Sequence, residues 1–364
     1  MRSFNARGRR LMMAAAAVIS GLGLAGAAAG TAQAALPDAW GFALVQTPSG
    51  AAVAGHWAES VPSPPPVASP GSPGQEIVRF AGIGIKGGVV HATAVTDQFA
   101  WCQAQKWGPS GSTETVVVQC YLKGGVPAFV PFTVTFSASS GAVAGAGLLY
   151  AYVHDTNASV AASYNSTGAV NTVTTLSPGE WLVRLPGPGP AAQTGGVQVT
   201  AANPAKPAIC DVASWAWTPS EQDVRVRCYD PLGAPQPSGW SLTYQNGRAI
   251  TGAAPKLHAY TLNNQPLVAG PYAPAPPGIN FSSAGGVNTV TRAGLAQSLV
   301  RFPLVGLKPD TVLVTAMDPG AKVCNLNTVW ATSGGSAVVR DVNCYLPSGA
   351  MDPTQSLVSY DTNS

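Results

Sequence analysis

Six cysteines, and a tryptophan shortly behind each first cysteine, are the residues whose types and spacing could support chemistry. Cys102 and Cys120, Cys210 and Cys228, and Cys324 and Cys344 stand 18, 18 and 20 residues apart. Trp107 and Trp215 each follow their cysteine by five residues, and Trp330 follows Cys324 by six. Successive strand residues face opposite sides, so a core-facing tryptophan should keep its parity relative to its cysteine. That parity slips at Trp330, and turn residues follow each indole: Gly108-Pro109-Ser110-Gly111, Thr218-Pro219-Ser220 and Ser333-Gly334-Gly335. The spacing predicts indoles near the tips of disulfide-held loops, as stacking platforms for a sugar ring or hydrophobic partner. Trp101 and Trp217 extend the same candidate ligand-binding edge. Indole gives a large rigid contact area with little entropy to lose, which suits such a platform. The opposing reading packs each indole over its bridge in the core.

The other reactive side chains are sparse. The four histidines, His56, His91, His154 and His258, do not recur as a set. His154 and His258 fall at comparable places, on or just after the first strand of two repeats, and His91 sits on a later strand. These read as exposed or core-edge strand histidines. Asp155 follows His154, but adjacent strand residues point apart, which discourages a shared site. Acids such as Asp211, Glu221 and Asp230 lie on loops and offer no converging pair for glycoside hydrolysis. Asp230-Pro231 and Asp352-Pro353 read as turn chemistry. No Gly-x-Ser-x-Gly elbow, His-Glu-x-x-His helix, Walker loop or dinucleotide fingerprint occurs. The chain therefore suggests no catalytic residues, no metal and no cofactor.

The elements that must position these residues recur. The cysteine pairs repeat at offsets of 108 and then 114–116 residues, the mark of a module near 110 residues used three times. Val78-Arg79-Phe80, Val183-Arg184-Leu185 and Val300-Arg301-Phe302 keep the same phase. So do His91-Ala92-Thr93-Ala94, Gln198-Val199-Thr200-Ala201 and Leu313-Val314-Thr315-Ala316, and Tyr121, Tyr229 and Tyr345 follow the second cysteines. Short alternating runs punctuated by Gly, Pro, Asn and Ser point to strands throughout. The expected fold is all-β: three tandem immunoglobulin-like or related β-sandwich modules, at 35–139, 140–250 and 251–364, each folding by itself. Repetition makes pairing within each module the economical choice, Cys102–Cys120, Cys210–Cys228 and Cys324–Cys344. Each bridge should stabilise its module by roughly 3 kcal/mol. Where the later modules carry Val-Asn-Thr-Val-Thr, the first has prolines from Pro62 to Pro73, so a surface loop is expected in place of that strand.

Residues 1–34 read as an export signal: Arg2, Arg7, Arg9 and Arg10, then an apolar run from Leu11 to Ala29, then Ala32-Gln33-Ala34. Arg9-Arg10 also fits a loose twin-arginine signal, leaving both export routes open. An exported chain keeps its cysteines oxidised. Beyond the leader basic and acidic residues nearly cancel, which removes the electrostatic footprint of a nucleic-acid binder. No later segment is long and apolar enough to span a bilayer as a helix.

The run of motifs (Tyr150-Ala151-Tyr152-Val153, Val-Asn-Thr-Val-Thr, Val197-Gln198-Val199-Thr200-Ala201, then Val-x-Val-x-Cys-Tyr) resembles a repeat of exported proteins in actinomycetes and other bacteria. That resemblance implies a secreted β-repeat protein and brings no catalytic residues. The expected role is non-catalytic binding outside the cell or a structural part in the envelope, multivalent through three modules, with an extracellular polysaccharide or envelope component as partner. The alternatives are a secreted hydrolase of polysaccharide or protein, and a protease inhibitor presenting its disulfide-closed loops.

Overall fold

A computed structural model describes residues 39–46, 64–139, 149–187, 193–252 and 257–362, and the backbone of 53–58. The expected leader and the first module junction lie outside the described residues. Apart from two single 3-10 turns, the regular structure of the described residues is all strand.

One arrangement of eight strands occurs three times. In repeat one, the first sheet runs β2 (Val53–Ala58), β1 (Ala39–Val45), β9 (Phe132–Ala138), β5 (Val89–Ala94). The second runs β3 (Val67–Pro70), β4 (Gln75–Phe80), β7 (Thr113–Leu122), β6 (Ala100–Ser110), with β8 (Val126–Pro127) added on β7. Repeat two has β11 (Val160–Asn165), β10 (Leu149–Asp155), β17 (Trp240–Asn246), β14 (Gly196–Ala201) in its first sheet. Its second is β12 (Thr172–Ser177), β13 (Glu180–Pro186), β16 (Glu221–Tyr229), β15 (Ile209–Trp217). Repeat three follows with β19 (Asn280–Ser282), β18 (His258–Asn263), β26 (Gln355–Thr362), β22 (Asp310–Met317). Its second sheet is β20 (Thr289–Gly294), β21 (Gln297–Phe302), β25 (Ser336–Tyr345), β23 (Val323–Leu326), with β24 (Ala331–Ser333) on β25.

The second sheets alternate as a half-buried strand should. Val78 and Phe80, Val183 and Leu185, and Val300 and Phe302 point inward, while Arg79, Arg184 and Arg301 point outward. All three expected disulfides form, each joining directly opposed residues of neighbouring strands. Within the expected proline loop, Val67–Pro70 form a strand, while 64–66 before it and 71–74 after it carry none, and Pro62 lies outside the described residues. β3 pairs with β4 in the register that β12 keeps with β13, Val67 opposite Arg79 as Thr172 is opposite Arg184. The position is a sheet edge, where a proline removes no ladder bond.

The inner strands of the first sheets (β1, β9 and β5; β10, β17 and β14; β18, β26 and β22) are buried on both faces, and the reason lies between repeats. Single parallel bridges join Ala104 to Ala202, Val212 to Met317 and Leu326 to Val95. These run from repeat one to two, two to three and three back to one, so the contacts are head-to-tail and the ring closes, a pseudo-threefold. At its centre each threonine of the shared motif meets the preceding repeat around the ring. Thr93 Oγ1 accepts the Val314 N–H at 3.0 Å, Thr200 Oγ1 that of Ala92 at 3.3 Å and Thr315 Oγ1 that of Val199 at 3.0 Å.

The residue after each first cysteine completes the seam. Gln103 donates to the carbonyls of Asn203 and Lys206 and accepts from the Ala208 N–H at 2.8 Å. Asp211 accepts from the Lys322 N–H at 3.2 Å, and Asn325 donates to the carbonyls of Gln98 and Ala100. The described residues therefore pack as one compact unit. A small cavity of about 50 Å³ lies on the axis between Thr93, Thr200 and Thr315.

Candidate functional site

The tryptophans occupy related places but unlike surroundings. Trp107 pairs with Val116 across the β6–β7 hairpin, and Trp215 pairs with Val224 across β15–β16. Trp330 immediately precedes β24. Trp215 is 5% exposed and Trp330 3% exposed, both in apolar core, and Trp101 is buried with its indole N–H donated to the Ala208 carbonyl. Three indoles on one ligand-facing edge are thus not what the fold presents, and Trp215, Trp330 and Trp101 drop out as platforms. Trp217 is exposed at the end of β15. The parity slip at Trp330 has a local cause. Strand β23 breaks before β24, and β25 takes up its own extra residue around Asp341, whose φ is +49° and whose carbonyl accepts the Asn327 N–H. One residue is added on each strand, so the indole still faces inward.

Trp107 alone of the three is only partly buried. Its indole N–H donates to the Gly87 carbonyl at 3.0 Å, and its ring lies 4.3 Å from that of His154 in repeat two, tilted at 54°. Beside this pair a cleft of about 400 Å³ opens between repeats one and two, lined also by Gln105, Lys106, Thr156, Ala162 and Pro204.

Register explains why the cleft opens here. Leu44 is opposite Thr133, His154 opposite Ser241 and Leu262 opposite Leu357, the same position in three first strands. Leu44 shares the buried apolar cluster of Trp330, and Leu262 that of Trp215. At the remaining interface imidazole stands in place of leucine. His258 is not its counterpart: it pairs with Asp361, four residues away in register.

His154 Nδ1 lies 3.1 Å from the Trp240 carbonyl, so the neutral ring donates there and Nε2 keeps its lone pair. Burial lowers the pKa of His154 and the Trp240 carbonyl partly restores it. Beneath the hairpin, Glu114 accepts the Ile85 N–H at 3.2 Å and so anchors the segment whose Gly87 receives Trp107. Burial pushes this carboxyl up to about 7, against bonds from Ile85 and Gly108.

Several seam residues escaped the sequence reading. His91 is not at a core edge but buried between repeats one and two, with Nε2 2.8 Å from Thr243 Oγ1 and Nδ1 3.2 Å from Thr200 Oγ1. Burial lowers its pKa to about 3, which keeps it neutral. Gln103, Asp211 and Asn325 were legible only as a polar residue following each first cysteine. Tyr229 and Tyr345 donate to the Pro319 and Asp97 carbonyls of the next repeat. Among the described residues, no three His, Cys, Asp or Glu side chains gather as a metal site, and no helix is long and apolar enough to cross a membrane. No protein-family model, curated protein or solved structure matches the chain.

Proposed function

We propose that this is a secreted, non-catalytic binding protein of the cell exterior that holds a sugar ring of an extracellular polysaccharide against Trp107. The observation that carries the reading is the half-buried Trp107, set beside His154 at the mouth of a cleft of about 400 Å³. A cleft of this volume lies in the range used for small ligands. The indole offers the apolar face of a pyranose a flat partner, while the lone pair of His154 Nε2 offers an acceptor for a ring hydroxyl. The basic leader with its Ala-x-Ala site and the three disulfides support export. Binding rests on one cleft, so avidity through three equal sites is not part of this reading.

The test is co-sedimentation of the secreted protein with insoluble polysaccharides and with whole cells, beside Trp107→Ala and Trp217→Ala variants. Retention that Trp107→Ala abolishes and Trp217→Ala leaves intact supports the site. Equal retention of wild type and Trp107→Ala on every matrix would remove it.

A further inference from the structure

We infer that the Trp107 cleft takes an acidic sugar, a pyranose bearing a carboxylate. This rests on the sugar-binding reading above and adds the charge of the ligand. The balance of charge around the cleft carries it. Lys106 lines the cleft. Lys86 directly precedes Gly87, whose carbonyl holds the Trp107 indole. Lys206 stands two residues beyond Pro204, another lining residue, on a segment pinned at both backbone groups. Its N–H donates to Asn203 Oδ1 at 3.0 Å and its carbonyl accepts from Gln103 at 2.9 Å. All three lysines are exposed.

Among the described residues, no aspartate or glutamate lines the cleft. The nearest carboxyl in sequence, Asp155, is buried and accepts the Asn157 N–H. Glu114 is buried under the hairpin and bonded to Ile85. Among the described residues, one lysine of the lining, with two more on segments that adjoin lining residues in sequence, faces no carboxylate of the lining, in a chain whose charges otherwise nearly cancel beyond residue 34. A cleft whose one charged lining group among the described residues is a lysine favours an anion, and an indole beside that lysine favours a ring over a linear anion.

The experiment is titration calorimetry of the secreted protein with a hexamer of galacturonic acid, its fully methyl-esterified form, and inorganic polyphosphate. The ester keeps the rings and removes the charge. The acid hexamer is expected to bind more tightly than the ester, and to weaken as salt rises above the range where surface charges act. A Lys86→Gln/Lys106→Gln variant should weaken acid binding about three- to tenfold, as two exposed ion pairs would, with ester binding unchanged. Trp107→Ala should abolish binding of both sugars. Equal, salt-independent binding of acid and ester would overturn this inference and leave the sugar-binding reading standing. Polyphosphate binding that matches the acid and survives Trp107→Ala would reduce the lysines to a non-specific patch and also overturn it. Binding of neither hexamer above the Trp107→Ala background would overturn both.

Discussion

Alanine in place of each tryptophan separates the open indole from the sealed ones. Trp215 is 5% exposed, lies edge-on to Tyr244 and donates its N–H to Gln222 Oε1 at 2.9 Å. Its removal leaves a core cavity, for which Trp→Ala changes cost about 3–5 kcal/mol. Gln222 Oε1, on a side chain 2% exposed, also loses its donor and draws the cost toward the upper end. Trp330 is sealed to the same degree and should fall in the same range. Trp107 buries only part of its ring and loses a bond to a partly exposed carbonyl, so about 1–2 kcal/mol is expected. Urea unfolding followed by circular dichroism reads all three, with the slope of each transition compared to wild type so that midpoints convert to stability. The expected order is Trp215→Ala and Trp330→Ala well below Trp107→Ala. If Trp107→Ala costs as much as the other two, its ring is core, the cleft is closed in solution, and the binding site loses its anchor.

Other outcomes follow from the seam. Gln103→Ala leaves the buried Ala208 N–H and two carbonyls without their partner and should cost about 3 kcal/mol in the same assay. Residues 140–250 produced alone under oxidising conditions expose both ring faces and should self-associate, read as a mass above the monomer in light scattering. A stable monomer would show that the seam is dispensable. Burial raises the Asp361 carboxyl to about 8, so the folded state holds a proton that the unfolded chain has released above its ordinary range near 4. Stability should therefore fall as pH rises from about 4 to 8, and Asp361→Asn should flatten that fall in thermal midpoints. His91, with its pKa lowered to about 3, acts in the opposite sense, removing stability as pH falls from about 6.5 toward 3. His91→Gln should lessen the acid loss and leave the limb above pH 6.5 unchanged.

Much of the architecture was legible because it repeats. Unlike motifs in constant order marked three copies of one unit, and cysteine spacing named the three bridges. The candidate site was legible only in part. Trp107 stood out by its distance from Cys102, but nothing local distinguished it from Trp215 and Trp330. Nor could His154 be weighed without knowing that Leu44 and Leu262 share its register. The proline run from Pro62 to Pro73 argued against a strand, and edge pairing with β4 overrode it only over Val67–Pro70.

Strand character, the all-β class and the disulfide pairing are local properties, written in period-two alternation and in residue spacing. The ring is not local. Thr133-Val134-Thr135 and Ser241-Leu242-Thr243 read along the chain as strands with one apolar face and one wet face. In the fold both faces are buried, and the polar one meets another repeat through Thr93, Thr200 and Thr315. Alternation records which residues share a face, but not whether water or protein covers it. A threonine satisfied by a neighbour's backbone N–H looks the same in sequence as one satisfied by solvent. Only closure of the three repeats decided which tryptophans were sealed, and where a histidine in leucine's place left a cleft.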